Sequence, residues 1–204
     1  MDTAWLRLEQ SIKPEEDSII KVEARHVAGA GRGLFAIQDL AALETAISVP
    51  GRFLLNAKTL GASYPASLLP QSTPTSKVDP LRLSSIQLLS LHLYRVKRGV
   101  KDDTFDAYIN TLPSSFSDHP LVVMQSCDLR ASVMKTVPPS VERMLLGVEK
   151  RLKDDWHLTL NTMEVFPGLS PKRKDDTEDH RLLFEDYTWA WLNGNHMRWC
   201  TLPS

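Results

Sequence analysis

The sequence predicts an α+β fold, with a small β-rich portion first and a mostly helical portion after it. Three observations predict it. Short apolar or alternating runs, bounded by Gly, Asp or Pro, crowd into residues 18–50. A Pro- and Ser-rich stretch follows at 61–80. Beyond it, apolar residues recur at three- and four-residue spacing. Strands grouped ahead of helices, rather than alternating with them, argue against a βαβ array.

Each element follows from its own residues. SIIKVEA (18–24) reads as a short strand, and GLFAI (33–37) and TAISVP (45–50) as two more. LLNAKTL (54–60) reads as a helical turn, and GASYPASLLPQSTPTSKVDP (61–80) as a loop or linker. Residues 82–98 carry Ile86, Leu89, Leu93 and Val96 on one stripe. They predict an amphipathic helix with basic residues in its last turn, stopped at Gly99. DDTFDAYINTLP (102–113) predicts a second, short helix ended before Pro113. A third starts after Pro138 and Pro139, where proline is tolerated. Its stripe is Val141, Leu145, Val148, Leu152 and Trp156. The helices at 82–98 and 139–160 are expected to bury Leu89, Leu93, Leu145, Leu152 and Trp156. SPKRKDDTEDH (170–180) reads as a solvated loop. A last helix covers 181–193, with Leu183, Phe184, Tyr187 and Trp191 on one side. The expected segments are therefore 1–17, 18–60, 61–80, 81–186 and 187–204.

Composition narrows the function classes. The chain has 204 residues, 42% of them hydrophobic, enough for a real core. The net charge of −1 gives no basic footprint for a nucleic acid, so no nucleic-acid partner is expected. No apolar run reaches the length of a membrane span, so no membrane partner is expected either. Cys127 and Cys200 are the only cysteines, which predicts no disulfide framework and a reducing compartment. The opening MDTAWLRLEQ lacks the apolar run of a signal peptide. Together these predict a cytoplasmic or nuclear protein. No H-E-x-x-H, C-x-x-C or G-x-S-x-G occurs, so no metal site is expected. Asp102, Asp103 and Asp106 are expected to charge a helix N-terminus. Trp189 and Trp191 are expected to pack the last helix rather than to form an ammonium cage.

The stretch GAGRGLFAI, from residue 29, carries the sharpest signal. Gly29, Gly31 and Gly33 alternate and run into apolar residues. The spacing is G-x-G-x-G, and LFAI favours a strand where a dinucleotide site needs a helix N-terminus. A Walker loop fails because no Gly-Lys-Ser/Thr follows. Two readings stay open from the glycines alone: the turn of a β-hairpin, or a backbone that a ligand approaches closely.

The wider stretch GRGLFAIQDLAALETAISVPGRFLLN (31–56) resembles the opening of a SET methyltransferase domain. Three later stretches are similar to the Rubisco large-subunit methyltransferase-like branch, in its fungal type. They are LLSLHLYRVKRGVKDDTFDAYINTLP (88–113), PPSVERMLLGVEKRLKDDW (138–156) and YTWAWLNGN (187–195). The resemblance covers most of residues 18–195. It implies a SET-type N-terminal portion at 18–60, a helical insert at 81–186 and a return to the SET core at 187–204.

The resemblance also implies an activity, that of an S-adenosyl-L-methionine (SAM)-dependent protein-lysine N-methyltransferase. The glycine turn would face the methionine end of SAM, with Ala30, Gly31, Arg32, Gly33 and Leu34 at the cofactor and the Arg32 side chain turned away. Main-chain groups can hold a charged amino-acid moiety only where side chains do not intervene. The family's N-T-R or S-R segment aligns with NHMR here, so Arg198, the remaining cofactor residue, is displaced by one position. The implied partner is a protein substrate presenting a neutral lysine amine to an in-line methyl transfer. The family's N-H strand and catalytic Tyr are expected beyond Ser204, and residues 1–204 alone are expected to be inactive. Tyr64, Tyr94, Tyr108 and Tyr187 do not stand where that Tyr belongs. The alternative is a non-catalytic, truncated SET-like protein acting as a binding module. A nucleotide-dependent oxidoreductase would require a helix at 33–37.

Overall fold

A computed structural model describes residues 2–14, 16–29, 31–70, 82–171 and 179–196, with no side chain given for His196. The chain forms two compact units. One comprises Met1–Ala62 and Lys101–Leu112, the other Ser63–Val100 and Pro113–Ser204. Among the described residues helix outweighs strand and the strand pairing is antiparallel, so the fold is α+β.

The first unit opens on α1 (Thr3–Ile12). Asp2 caps it, its carboxylate accepting from the Ala4 and Trp5 amides at 3.0 and 3.2 Å. Next come β1 (Ile19–Ile20), β2 (Val22–Val27), β3 (Gly31–Ala36) and β4 (Ile47–Ser48). β1 pairs with β4, and β2 with β3. The expected strand at 18–24 is thus divided at Lys21, where the chain changes partner. The Lys21 amide donates to Ala46 (2.9 Å), while its carbonyl accepts from Ile37 (3.0 Å). Lys21 also binds Glu44 through its ammonium at 2.5 Å. α3 (Asp106–Ile109) packs on α1 and buries Phe105 and Ile109. Residues 101–112 therefore group with the first unit, although the sequence placed them within the helical segment 81–186. Asp102 accepts from the Thr104 and Phe105 amides, so it caps the turn into α3 as expected.

The second unit is built on α2 (Ser85–Lys97) against α7 (His180–His196). A capping box starts α2: Ser84 Oγ accepts from the Gln87 amide, and Gln87 Oε1 accepts from the Ser84 amide. Gly99, at φ +90°, ends it. α4 (Pro120–Val123), α5 (Cys127–Thr136) and α6 (Pro139–Val165) complete the unit. α4 and α5 carry too little apolar periodicity to be predicted. The core holds Leu88, Leu91, Leu93 and Leu152 with the rings of Tyr94, Trp156 and Tyr187. The Trp156 ring lies 5.0 Å from Tyr187 and 5.6 Å from Tyr94. Gly194 lets α7 approach α2, since a Cβ there would stand 3.1 Å from Ser90 Oγ.

Several expectations need correction. Leu89, Leu93, Leu152 and Trp156 are buried, but Leu145 is only half-buried. Along α6 the first buried residue is Leu152, because the helix begins to pack on the core only there. α6 also runs five residues past the expected 160. α2 is not a one-sided amphipathic helix: residues 88–94 are buried without a break, Ser90 and His92 included. The expected helical turn at 54–60 begins only at Thr59, as a 3-10 helix over Thr59–Ser63. A second 3-10 helix, Ala66–Leu68, follows it, so 61–70 is not an open loop, and Tyr64 and Leu68 are core residues. Residues 71–81 and most of the charged run at 170–180 lie outside the described residues.

Candidate functional site

The site predicted from the glycines is the β2–β3 hairpin. Its register pairs Val27 with Gly31, His26 with Arg32, Arg25 with Gly33 and Ala24 with Leu34. Gly29 and Gly31 take φ +76° and +79°, a region that costs any other residue about 1–2 kcal/mol. A Cβ on either would meet nothing within 4 Å, so the main chain at the turn faces open space. Gly33 has a different reason to be glycine. A Cβ there would stand 3.3 Å from the Phe35 ring, which leans over it. The Arg25 guanidinium lies 5.5 Å from that ring's centroid on its own face.

The residues around the hairpin are charged and paired. Arg32 donates to the Asp2 carboxylate at 3.0 Å and to the Thr111 carbonyl. Hydrogen bonds from Arg32 and from the Trp5 amide hold the Asp2 carboxyl below its ordinary range. Arg25 pairs with Glu23. A cleft of about 570 Å³ is lined by Asp2, Glu23, Ala24, Arg25, His26 and Arg32. A smaller one, of about 190 Å³, lies among Trp5, Ala24, Arg32, Gly33, Leu34 and Thr111. Trp5 Nε1 is buried there with no acceptor among the described residues. The two clefts share Arg32 and Ala24. Together they offer two carboxylates and two guanidiniums.

Of the residues predicted to meet a cofactor, Gly31, Arg32, Gly33 and Leu34 stand together on β3. Ala30 and Arg198 lie outside the described residues. The Arg32 side chain does not turn away as expected; Asp2 draws it along both clefts. Asp2, Trp5 and Thr111 were missed. Asp2 before the Trp5, Leu8, Ile12 spacing was the signal for a capped helix there. Thr111 carried none, since only folding brings its carbonyl to Arg32. Because residues 31–36 form a strand, the oxidoreductase alternative, which required a helix at 33–37, is set aside.

The second unit holds its own cleft, of about 410 Å³, between Ser84–Gln87, Arg151, Asp155 and Asn195. The Asp155 oxygens accept from Gln87 Nε2 (2.7 Å) and Trp191 Nε1 (2.8 Å), so this acid ties α2, α6 and α7 together. Trp191 is buried as expected. Trp189 is only half-buried, donating to the Pro113 carbonyl with Lys97 over its ring. Burial raises the Tyr187 hydroxyl above its ordinary range, which keeps it protonated. Among the described residues, no group of His, Cys, Asp and Glu could hold a metal ion. Nor is any helix long and apolar enough to cross a membrane. No family model, curated protein or solved structure matches the chain.

Proposed function

We propose that this chain carries the cofactor-facing hairpin of a SET-type, SAM-dependent protein-lysine methyltransferase of the Rubisco large-subunit methyltransferase-like branch. The observation that carries the reading is the hairpin itself. Two glycines at positive φ expose bare main chain beside a cleft lined by both carboxylates and guanidiniums. The amino-acid end of SAM is a zwitterion, and this set of groups complements it. Arg25 and Arg32 suit its carboxylate and Glu23 and Asp2 its ammonium, while the turn at Gly29 and Gly31 leaves open the space that a side chain would fill.

SAM, when bound, supplies an electrophilic methyl group on a sulfonium. The chain's part is to bind and to orient. Asp2 fixes Arg32, and Arg32 ties the hairpin to Thr111. Alignment of this kind is worth about 7–11 kcal/mol of a transfer barrier. The substrate class under this reading is a protein lysine in its neutral form.

A second reading is a non-catalytic interaction module. The observation that favours it is the number of large apolar side chains left exposed on the first unit, among them Leu34, Ile37, Leu43 and Leu54.

Calorimetric titration of SAM into the folded chain separates the two. The cofactor reading predicts saturable binding that Gly31→Val abolishes, because a β-branched residue resists φ +79° and fills the open space above the turn. Gly51→Ala, which adds a Cβ in open space without a positive φ, is expected to bind as the parent does. Absence of binding by the parent, or unchanged binding by Gly31→Val, would overturn the cofactor reading.

A further inference from the structure

Among the described residues, no strand covers the outer edge of β3. The Ile37 amide donates to the Lys21 carbonyl, which sets the alternation of the hairpin. Residues 31, 33, 35 and 37 turn their main-chain groups toward β2. Arg32, Leu34 and Ala36 turn theirs outward, and no strand pairs with them among the described residues. The residues along this edge are exposed: Leu34 is 53% exposed, Ile37 52% and Phe35 37%. Natural edges are guarded by Lys, Pro, bulges or inward charges. Gly31–Ile37 has neither Lys nor Pro, and its one charge, Arg32, is drawn off and neutralised by Asp2.

We infer that the chain forms a twofold dimer through this edge, β3 pairing antiparallel with β3 of a second copy in a register centred on Leu34. The sequence of the edge is complementary to itself in that register and in no neighbouring one of the same parity. Leu34 faces Leu34 of the partner copy. Gly33 faces Phe35, and Gly31 faces Ile37, so each missing side chain meets a large one. Arg32 faces Ala36, so no like charges oppose one another. The outward residues Arg32, Leu34 and Ala36 pair among themselves, which satisfies the parity of an antiparallel ladder. The Phe35 ring already leans over its own Gly33. In the pair the two rings stand on the diagonal, within reach of each other, over two glycines. Moving the centre to Arg32 would set two guanidiniums face to face. Moving it to Ala36 would leave both glycines unopposed. Pairing through this edge needs no cofactor.

The test is sedimentation velocity over the micromolar range with the parent and two variants of the full chain, each checked for folding by circular dichroism. The parent is expected to sediment as a concentration-dependent dimer. Leu34→Lys places two ammonium groups on the axis. Ala36→Pro removes an outward N–H while leaving the β2–β3 bonds intact, as edge strands tolerate. Each is expected to raise the dimer dissociation constant at least about tenfold. Register is read by cysteine oxidation with Cys127 and Cys200 replaced by Ser. Leu34→Cys is expected to crosslink to itself, since paired residues stand about 5.5 Å apart, within disulfide reach. Ile37→Cys is not, because it faces Gly31. A monomeric parent throughout, unchanged association of Leu34→Lys and Ala36→Pro, or crosslinking at residue 37 but not at 34 would each overturn the inference.

Discussion

Gly31 and Gly147 are both glycines in open space, yet they should answer substitution in opposite ways. Gly31 takes φ +79°, so Gly31→Ala forces a Cβ into the left-handed region, at about 1–2 kcal/mol. Gly147 lies within α6 and a Cβ there would meet nothing, so Gly147→Ala should gain about 0.5–1 kcal/mol. Urea denaturation of the two variants reads the sign directly. The alternating glycines were legible in the sequence as a cluster that a turn or a close approach calls for. Their separate reasons were not. Gly33 has an ordinary φ and is explained by the Phe35 ring, a contact that only the folded pleat creates. Trp5 and Asp2 stayed unread for a similar reason. A short amphipathic start looks like a tail until the strands it covers are in place.

The elements divide by how much of their burial is periodic. α7 buries Leu183, Tyr187 and Trp191 of its announced stripe but leaves Phe184 half-buried, and the second half of α6 buries Leu152 and Trp156. α2 buries Ser90 and His92 along with its leucines, because neighbours surround it. A polar residue inside a leucine run reads as a solvent face, and only tertiary packing reverses that. α5 went unseen since none of its residues is buried; it is held instead by charge. Arg130 grips Glu149 of α6 with two bonds, at 2.8 and 2.7 Å, and Lys153 adds a third at 2.8 Å. The Arg130 bonds, with help from Lys153, pull the Glu149 carboxyl down to about 2. The carboxyl is thus depressed in the folded chain relative to its ordinary value of 4.5. Its stabilisation is complete above that value and is lost as pH falls toward about 2. Glu149→Gln should therefore lower stability by on the order of 1–2 kcal/mol at neutral pH. The gap between variant and parent should close on acidification across that window. Denaturant midpoints measured from neutral pH down to acid, as far as the fold persists, follow it; a gap that stays constant contradicts the role.

At the scale of the whole molecule, the order of strands before helices was readable, and the α+β class follows from it. The grouping of the chain was not. Residues 101–112 join the N-terminal residues because Phe105 and Ile109 find their burial there, a long-range choice that local pattern does not encode. The second unit is a helical body whose polar ties, such as Asp155 to Gln87 and Trp191, serve packing. The first unit carries the charged clefts, the bare glycine main chain and the exposed β3 edge, so chemistry and association are both assigned to it. The central claim is that the β2–β3 hairpin receives the amino-acid end of SAM. Titration of SAM into the nitrogen-15-labelled chain, followed by amide NMR, tests it most directly. Saturable shifts concentrated at Gly29, Gly31, Arg32 and Gly33 are expected. Shifts confined to other residues, or none at saturating cofactor, would contradict it.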